Sequence, residues 1–219
     1  MFMKSLQNYK AIFFDMDGVL VDSERIYLQA LQEYLYLHNI EEKQENLLKY
    51  IGKSLEVISR GLLKEYSISE TLEECMQKQI ALYDTLFYKE GNIYAMPFVK
   101  EVLIKLKEHD KKIAVVSSSS LKGIQLTLSQ IGLTHFFDEI ISTEMVKRGK
   151  PFGDVYQFAA KKFHLNIADC LVIEDSPAGI HAAKEARMEV IAYKGASVIQ
   201  ETKEADEEIY SFEELLKQL

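Results

Sequence analysis

Residues 11–18 read AIFFDMDG, and this stretch decides the fold. Four apolar residues, 11–14, stop abruptly at Asp15, and a second aspartate, Asp17, precedes Gly18. A short apolar run bounded by polar residues and glycine is typical of a buried strand that leads into a loop. The sequence therefore predicts a strand over residues 11–14 with both aspartates at its carboxyl end.

Apolar runs alternate with helical patterns in the chain after Pro97. The runs KIAVV, EIIS, CLVIE and VIAY occupy residues 112–116, 139–142, 170–174 and 190–193. Strands that alternate with helices over short links are typical of a parallel sheet covered on both faces. We therefore expect an α/β fold with a doubly wound, Rossmann-like core formed by residues 1–20 and 95–219.

Residues 21–94 have a different character, with helical periodicity, many Glu, Lys and Gln residues and no convincing strand. The first helix is expected to follow Ser23 as its N-cap. This block predicts an all-helical domain inserted into the core after the first strand. The polar stretch near residues 200–208 is expected to be solvated surface.

Composition limits the function classes. The 219 residues are 47% hydrophobic and carry a net charge of −8, which gives no general attraction for nucleic acid or for an anionic membrane. Cys75 and Cys170 lie far apart, as is typical of structural thiols in a reducing compartment. The start of the chain lacks the apolar stretch of a signal peptide. We expect a cytoplasmic monomer without nucleic-acid or membrane partners.

Polar residues gather at the predicted strand ends, where open parallel sheets bind their ligands. They are Asp15, Asp17, Ser117, Lys150, Glu174 and Asp175. Each alone has an ordinary explanation as a turn former, a helix cap or a surface lysine. Two acidic pairs brought close together would repel each other, and a divalent cation would relieve that repulsion. Because all the candidate metal ligands are oxygen donors, Mg²⁺ is favoured over zinc. Mg²⁺ in turn indicates phosphoryl chemistry, because it commonly binds carboxylates together with a substrate phosphate.

Four motifs in chain order resemble those of the haloacid dehalogenase-like superfamily. They are DMDGVLVDS at 15–23, VVSSSS at 115–120, GKPFGDVY at 149–156 and IEDSPAGIHAAKEA at 173–186. The helical insertion after the first motif is similar to the cap of the branch that contains phosphoglycolate phosphatases, sugar phosphatases and β-phosphoglucomutase. The resemblance implies an Mg²⁺-dependent phosphatase of small phosphorylated metabolites, with sugar phosphates expected as substrates.

The resemblance also implies catalytic roles for individual residues. Asp15 would attack phosphorus and become a phosphoaspartate, and Asp17 would serve as general acid and base. An aspartate at position 17 favours phosphoryl transfer over carbon–halogen cleavage, because dehalogenases lack an acid/base group there.

Further residues would bind the metal and the phosphate. Mg²⁺ would be held by Asp15, by the backbone carbonyl of Asp17 and by Asp175, with Glu174 nearby or bound through water. The phosphoryl group would be held by Ser117, Ser118 and Lys150. Lys53, in the helical insertion, is expected to reach the substrate, although a solvated lysine explains it equally well.

Three positions depart from the family pattern. Gly153 replaces the second proline of the KPxPD motif, Tyr27 stands where the mutases carry a histidine, and Leu55 stands where they carry a phosphate-binding arginine. Gly153 leaves Lys150 in place, whereas Tyr27 and Leu55 favour a phosphatase over a mutase. Two alternatives stay open: a β-phosphoglucomutase-type phosphotransferase, and a non-catalytic module that binds Mg²⁺ and phosphate.

Overall fold

The computed structural model describes residues 6–51, 53–89 and 92–219. The chain divides into two compact units. The core unit comprises the chain up to Asp22 together with Tyr94–Leu219, and the helical unit comprises Ser23–Ile93. Across the described residues, no helix combines the length and the apolar character that a membrane span requires.

Within the described residues, six parallel strands form the sheet of the core unit, in the order β3-β2-β1-β4-β5-β6. Their bounds are β1 Ala11–Phe14, β2 Lys112–Ser117, β3 Glu139–Ser142, β4 Cys170–Glu174, β5 Glu189–Tyr193 and β6 Glu207–Ile209. All four residues of β1 and all five of β4 are buried, as expected for central strands covered on both faces. The predicted doubly wound parallel fold is confirmed.

Strand β6 corrects one expectation. The stretch near residues 200–208 is not all solvated surface, because Glu207–Ile209 pairs in parallel with β5 and Ile209 is buried. Thr202 is buried as well. The strand has only three residues and one inward apolar side chain, so its alternation is too short to be detected in the sequence.

In the described part of the helical unit there are four α-helices: α1 Ser23–Tyr36, α2 Gln44–Leu47, α3 Leu55–Glu65 and α4 Leu72–Phe87. Helix α1 begins at Ser23 itself, so Ser23 is its first residue and not the residue before it. Apolar side chains of α1 form the centre of the unit, with Ile26, Leu31 and Leu35 fully buried.

The core unit adds α5 Val99–Glu108, α6 Leu121–Gln130, α7 Asp154–Lys162, α8 Pro177–Glu185 and α9 Phe212–Leu216. The start of α8 follows the sequence rule for a capped helix: Ser176 Oγ accepts from the backbone N–H of Gly179, and Pro177 occupies the first turn. This cap fixes the turn that directly follows Glu174 and Asp175.

Candidate active site

Three buried carboxylates meet at the carboxyl ends of β1 and β4. The two strands are neighbours, and Phe14 pairs with Ile173, so Asp15 and Glu174 leave the sheet side by side. Asp175 follows directly, and one oxygen from each of the three residues lies within 4.8 Å of the others. Their exposures are 7% for Asp15, 0% for Glu174 and 5% for Asp175. The structure thus brings together three of the four predicted acidic residues in a single cluster.

Lys150 provides a positive charge within this cluster. Its Nζ atom lies 2.5 Å from Asp15 Oδ1 and 2.6 Å from Glu174 Oε1, and it also donates to the backbone oxygen of Val116 at 3.0 Å. Burial opposes the lysine's charge, but the carboxylates of Asp15 and Glu174 outweigh it and raise the pKa of Lys150 well above its usual value. The lysine is therefore charged and fixed against the predicted nucleophile.

The carboxylates nevertheless exceed the positive charge available to them. Burial, followed by the charges of Glu174 and Asp17, raises the pKa of Asp15 to about 8 despite Lys150. Burial and the charges of Glu174 and Asp15 raise the pKa of Asp175 well above its usual range. A cation at this cluster would favour the ionised carboxylates, and an oxygen-only donor set fits Mg²⁺.

Glu174 connects the cluster to its surroundings. Its Oε1 accepts from Lys150 and, at 3.2 Å, from the hydroxyl of Tyr156. Its Oε2 accepts from the backbone N–H groups of Asp175 and Ser176 at 2.9 and 3.0 Å, and from Ser176 Oγ at 3.0 Å. Both oxygens are thus engaged by donors of the chain. Gly179 makes room for this side chain, since a β-carbon there would lie 1.6 Å from Glu174 Oε1.

The serines at the carboxyl end of β2 lie at the same edge of the sheet. Ser117 is buried at the end of the strand, and its Oγ accepts from the backbone N–H of Ser119 at 3.0 Å. Ser118 is exposed. Ser119 Oγ donates a hydrogen bond to Asp17 Oδ2 at 3.1 Å. Asp17 is half-buried and lies outside the three-carboxylate cluster.

Sequence reasoning missed three residues of this site. Tyr156 is fully buried, with Lys150 Nζ 5.3 Å from its ring centroid, and Gln200 Nε2 donates to Asp175 Oδ2 at 3.1 Å. Ser119 is the third. Tyr156 lies on the apolar face of α7, where a buried tyrosine is typical of core packing. Gln200 lies in a polar stretch that contains no motif. The sequence therefore gives no indication that either residue belongs to the site.

Two contacts explain why glycine, and not the proline of the family motif, occupies position 153 in this chain. The backbone N–H of Gly153 donates to Glu185 Oε2, and a β-carbon at this position would lie 2.7 Å from the backbone nitrogen of Ala186. A proline could neither donate that hydrogen bond nor approach α8 so closely.

Three predicted or discriminating residues belong to the helical unit. Lys53 is exposed, and its Nζ lies 5.8 Å from the ring centroid of Tyr50. Leu55 is the first residue of α3. The hydroxyl of Tyr27 is buried with no hydrogen-bond partner among the described residues, and burial raises the pKa of Tyr27 above its usual value.

Known proteins share both the sequence pattern and the fold. The profile of the haloacid dehalogenase-like hydrolases matches residues 12–193. A conserved haloacid dehalogenase-like protein of unknown function from Agrobacterium tumefaciens str. C58 superposes with a TM-score of 0.82 and 28% identity, covering 95% of this chain and 96% of that chain. The match to the family extends over all four motifs of the site.

Two curated relatives differ in activity. The bifunctional riboflavin kinase/FMN phosphatase of Arabidopsis thaliana is 29% identical over 182 residues, which cover 83% of this chain and 47% of that protein. The chain thus spans about half the length of this relative. The β-phosphoglucomutase of Bacillus subtilis (strain 168) is 30% identical over 185 residues, covering 82% of this chain and 80% of that protein.

Proposed function

We propose that this chain, which belongs to the haloacid dehalogenase-like hydrolase family, hydrolyses small phosphate monoesters through a phosphoaspartate on Asp15. The family and the phosphatase homologue support phosphoric monoester hydrolysis, and the proposal adds a mechanism and a substrate class. One observation carries it: Asp15 lies 2.5 Å from a buried lysine, beside Asp175, with a second aspartate two residues along the chain.

The first half-reaction forms the phosphoenzyme. A carboxylate oxygen of Asp15 attacks phosphorus, and the bond from phosphorus to the leaving oxygen breaks. Asp17 donates its proton to that oxygen, so the leaving group departs as an alcohol. Lys150 and Ser117 hold the phosphoryl oxygens, and the charge of Lys150 offsets the negative charge that develops on them.

The second half-reaction restores the enzyme. Asp17, now ionised, takes a proton from a water molecule that attacks the phosphorus of the phosphoaspartate, the bond between phosphorus and the Asp15 carboxylate oxygen breaks, and inorganic phosphate leaves. The different surroundings of the two aspartates suit this division of roles. Asp15 is held against Lys150, whereas Asp17 is half-buried beside a serine hydroxyl.

Asp15 and Asp175 are the residues that would bind Mg²⁺, together with the backbone carbonyl of Asp17. The ion, when bound, supplies positive charge that neutralises the phosphoryl oxygens. Glu174 would act on the metal site indirectly, because both its oxygens already accept hydrogen bonds from Lys150, Tyr156 and the turn after β4. It holds Lys150 and the backbone of Asp175 in place.

The substrate class that we propose is sugar phosphates and related small monoesters. An FMN phosphatase and a sugar-phosphate mutase among the relatives support it. The resemblance to the mutase makes phosphotransfer between sugar hydroxyls the second candidate. Tyr27 and Leu55 argue against that candidate, because tyrosine, with a reference pKa of about 10, is a poor proton carrier near neutrality and leucine offers no charge to a second phosphate.

Phosphorus NMR tests the proposal directly. The full chain would be incubated with Mg²⁺ and a panel of hexose, pentose and smaller phosphate monoesters, with Asp15→Asn as the inactive control. We expect steady release of inorganic phosphate from at least one of them. Phosphate bound without turnover would favour a non-catalytic module instead.

The same instrument separates the phosphatase from the mutase. With β-glucose 1-phosphate and a trace of bisphosphate primer, a phosphatase releases inorganic phosphate and forms negligible glucose 6-phosphate. Rapid isomerisation with little free phosphate would refute our assignment and identify a mutase.

A further inference from the structure

The loop between β5 and β6 approaches the active site from a part of the chain that contains no family motif. It leaves β5 at Tyr193, which is a carboxyl strand end on the same edge of the sheet as Asp15 and Asp175. From this loop, Gln200 extends its side chain and donates a hydrogen bond from Nε2 to Asp175 Oδ2 at 3.1 Å.

The carboxylate of Asp175 is also confined by Gly18. A β-carbon at Gly18 would lie 2.1 Å from Asp175 Oδ2, and the φ angle of Gly18 is +77°, so the glycine backbone closes on the same oxygen that Gln200 contacts. One oxygen of Asp175 is therefore held by a donor and by a close backbone neighbour. This contact fixes the rotation of the whole carboxylate group.

The chemical type of the donor matters at this position. A lysine or arginine here would place a second cation where the metal must bind, and an acid would add to the excess of negative charge around Asp15, Glu174 and Asp175. A neutral amide orients the carboxylate and does neither. Hydrogen bonds of this kind to metal-binding groups commonly set metal affinity by 10- to 100-fold.

The loop has a second attachment that is independent of Asp175. The backbone N–H of Ser197 donates to Asp22 Oδ2 at 3.2 Å, and Ser197 Oγ donates to the same oxygen. Ser197 is exposed and Gln200 is half-buried. The loop is thus held at one point by the residue that precedes the helical unit and at another by the proposed metal ligand.

We infer that Gln200 is a positioning residue that holds Asp175 in the orientation required for Mg²⁺, an inference that rests on the metal-dependent function proposed above. Its side chain acts through Asp175, which it contacts directly. The affinity for the metal therefore depends on a loop that lies outside the four family motifs.

Metal binding by the full-length protein tests this inference without any turnover. Gln200→Met keeps the length of the side chain and removes the donor, and Ser197→Ala removes a hydrogen bond to Asp22 at a different point of the loop without altering the contact with Asp175. The dissociation constant for Mn²⁺ would be measured by electron paramagnetic resonance, and that for Mg²⁺ by calorimetry. We expect Gln200→Met to weaken metal binding about tenfold and Ser197→Ala to leave it unchanged.

Three results would overturn the inference. Equal affinities for wild type and Gln200→Met would show that the hydrogen bond has no role in metal binding. An equal loss in Gln200→Met and Ser197→Ala would assign the effect to order in the loop and not to the donor. If the wild-type protein bound neither Mn²⁺ nor Mg²⁺, the metal-dependent function proposed above would be wrong. That result differs from the other two, in which wild type binds the metal.

Discussion

Asp15 and Asp17 lie two positions apart, and the structure gives their carboxylates different environments. Asp15 is 7% exposed and contacts a charged lysine at 2.5 Å, whereas Asp17 is half-buried and accepts from the hydroxyl of Ser119. The contact with Lys150 positions Asp15 for nucleophilic attack, and a bound cation would favour its ionised form, whereas Asp17 lies beside a neutral hydroxyl group. The two residues should therefore fail in different ways when they are changed.

Asp15→Asn removes the nucleophile, so we expect no phosphoenzyme and a loss of phosphate release to background. Asp17→Asn removes proton transfer only, and a substrate with a good leaving group, such as p-nitrophenyl phosphate, should still phosphorylate Asp15 slowly. Acid-quenched labelling with ³²P-labelled substrate measures both. Equal phosphoenzyme yields from wild type and Asp15→Asn would contradict the assignment.

Tyr156 is expected to influence the rate through Lys150 and Glu174. Tyr156→Phe removes the hydroxyl that donates to Glu174 at 3.2 Å and retains the ring beside Lys150. Loss of a hydrogen bond of this type costs about 1 kcal/mol, which corresponds to a fall of roughly fivefold in kcat. Tyr94→Phe, at an exposed position of the core unit, serves as the control and should leave kcat unchanged. An unchanged kcat in Tyr156→Phe would assign the tyrosine to packing alone.

Among the elements, α4 shows how the helical unit is stabilised locally. Thr71 and Glu74 form a reciprocal capping box, in which each side chain accepts from the other's backbone N–H. Thr85, near the other end of the same helix, donates its hydroxyl to the carbonyl of Ala81. The two threonines allow a comparison within one helix.

Thr71→Ala should lower the free energy of unfolding by about 1 kcal/mol, because it leaves helix N–H groups without a partner. Thr85→Ala should have little effect or stabilise slightly, since alanine has the higher helix propensity and no end group is lost. Urea unfolding followed by circular dichroism compares them. If both changes lowered the free energy of unfolding equally, loss of the capping box would not explain the effect of Thr71→Ala.

The elements that were predicted from the sequence are those whose signal is local. Five strands have apolar runs long enough to recognise, and the start of α8 is specified by adjacent residues, Ser176 and Pro177. Strand β6 escaped prediction because three residues hold too little pattern. The contacts of Gln200 and Tyr156 depend on where the chain returns in three dimensions, which no single-sequence spacing reveals. The roles of Asp15, Asp17, Ser117, Lys150 and Asp175 stay predictions until they are measured.

At the scale of the whole molecule, activity is expected to depend on a divalent cation. The chain carries a net charge of −8, and among the residues that the structure describes, the active-site cluster combines three buried carboxylates with one contacting lysine. EDTA should abolish phosphate release, and added Mg²⁺ should restore it. Asp175→Ala should raise the Mg²⁺ concentration required for half-maximal activity at least tenfold. Full activity in thoroughly metal-free buffer would refute the dependence.

The two points where the chain leaves and re-enters the core unit have a consequence for exchange of the inserted segment. Val21 pairs with Ala95 in an antiparallel bridge, and the backbone N–H of Met96 donates to the oxygen of Leu20 at 2.8 Å, so the chain leaves the core and re-enters it at neighbouring points. An insertion whose two ends are adjacent can be exchanged without stretching its host. We therefore expect a chimaera that carries a relative's helical segment between Asp22 and Tyr94 to fold with an unchanged core unit, which circular dichroism and urea unfolding would measure.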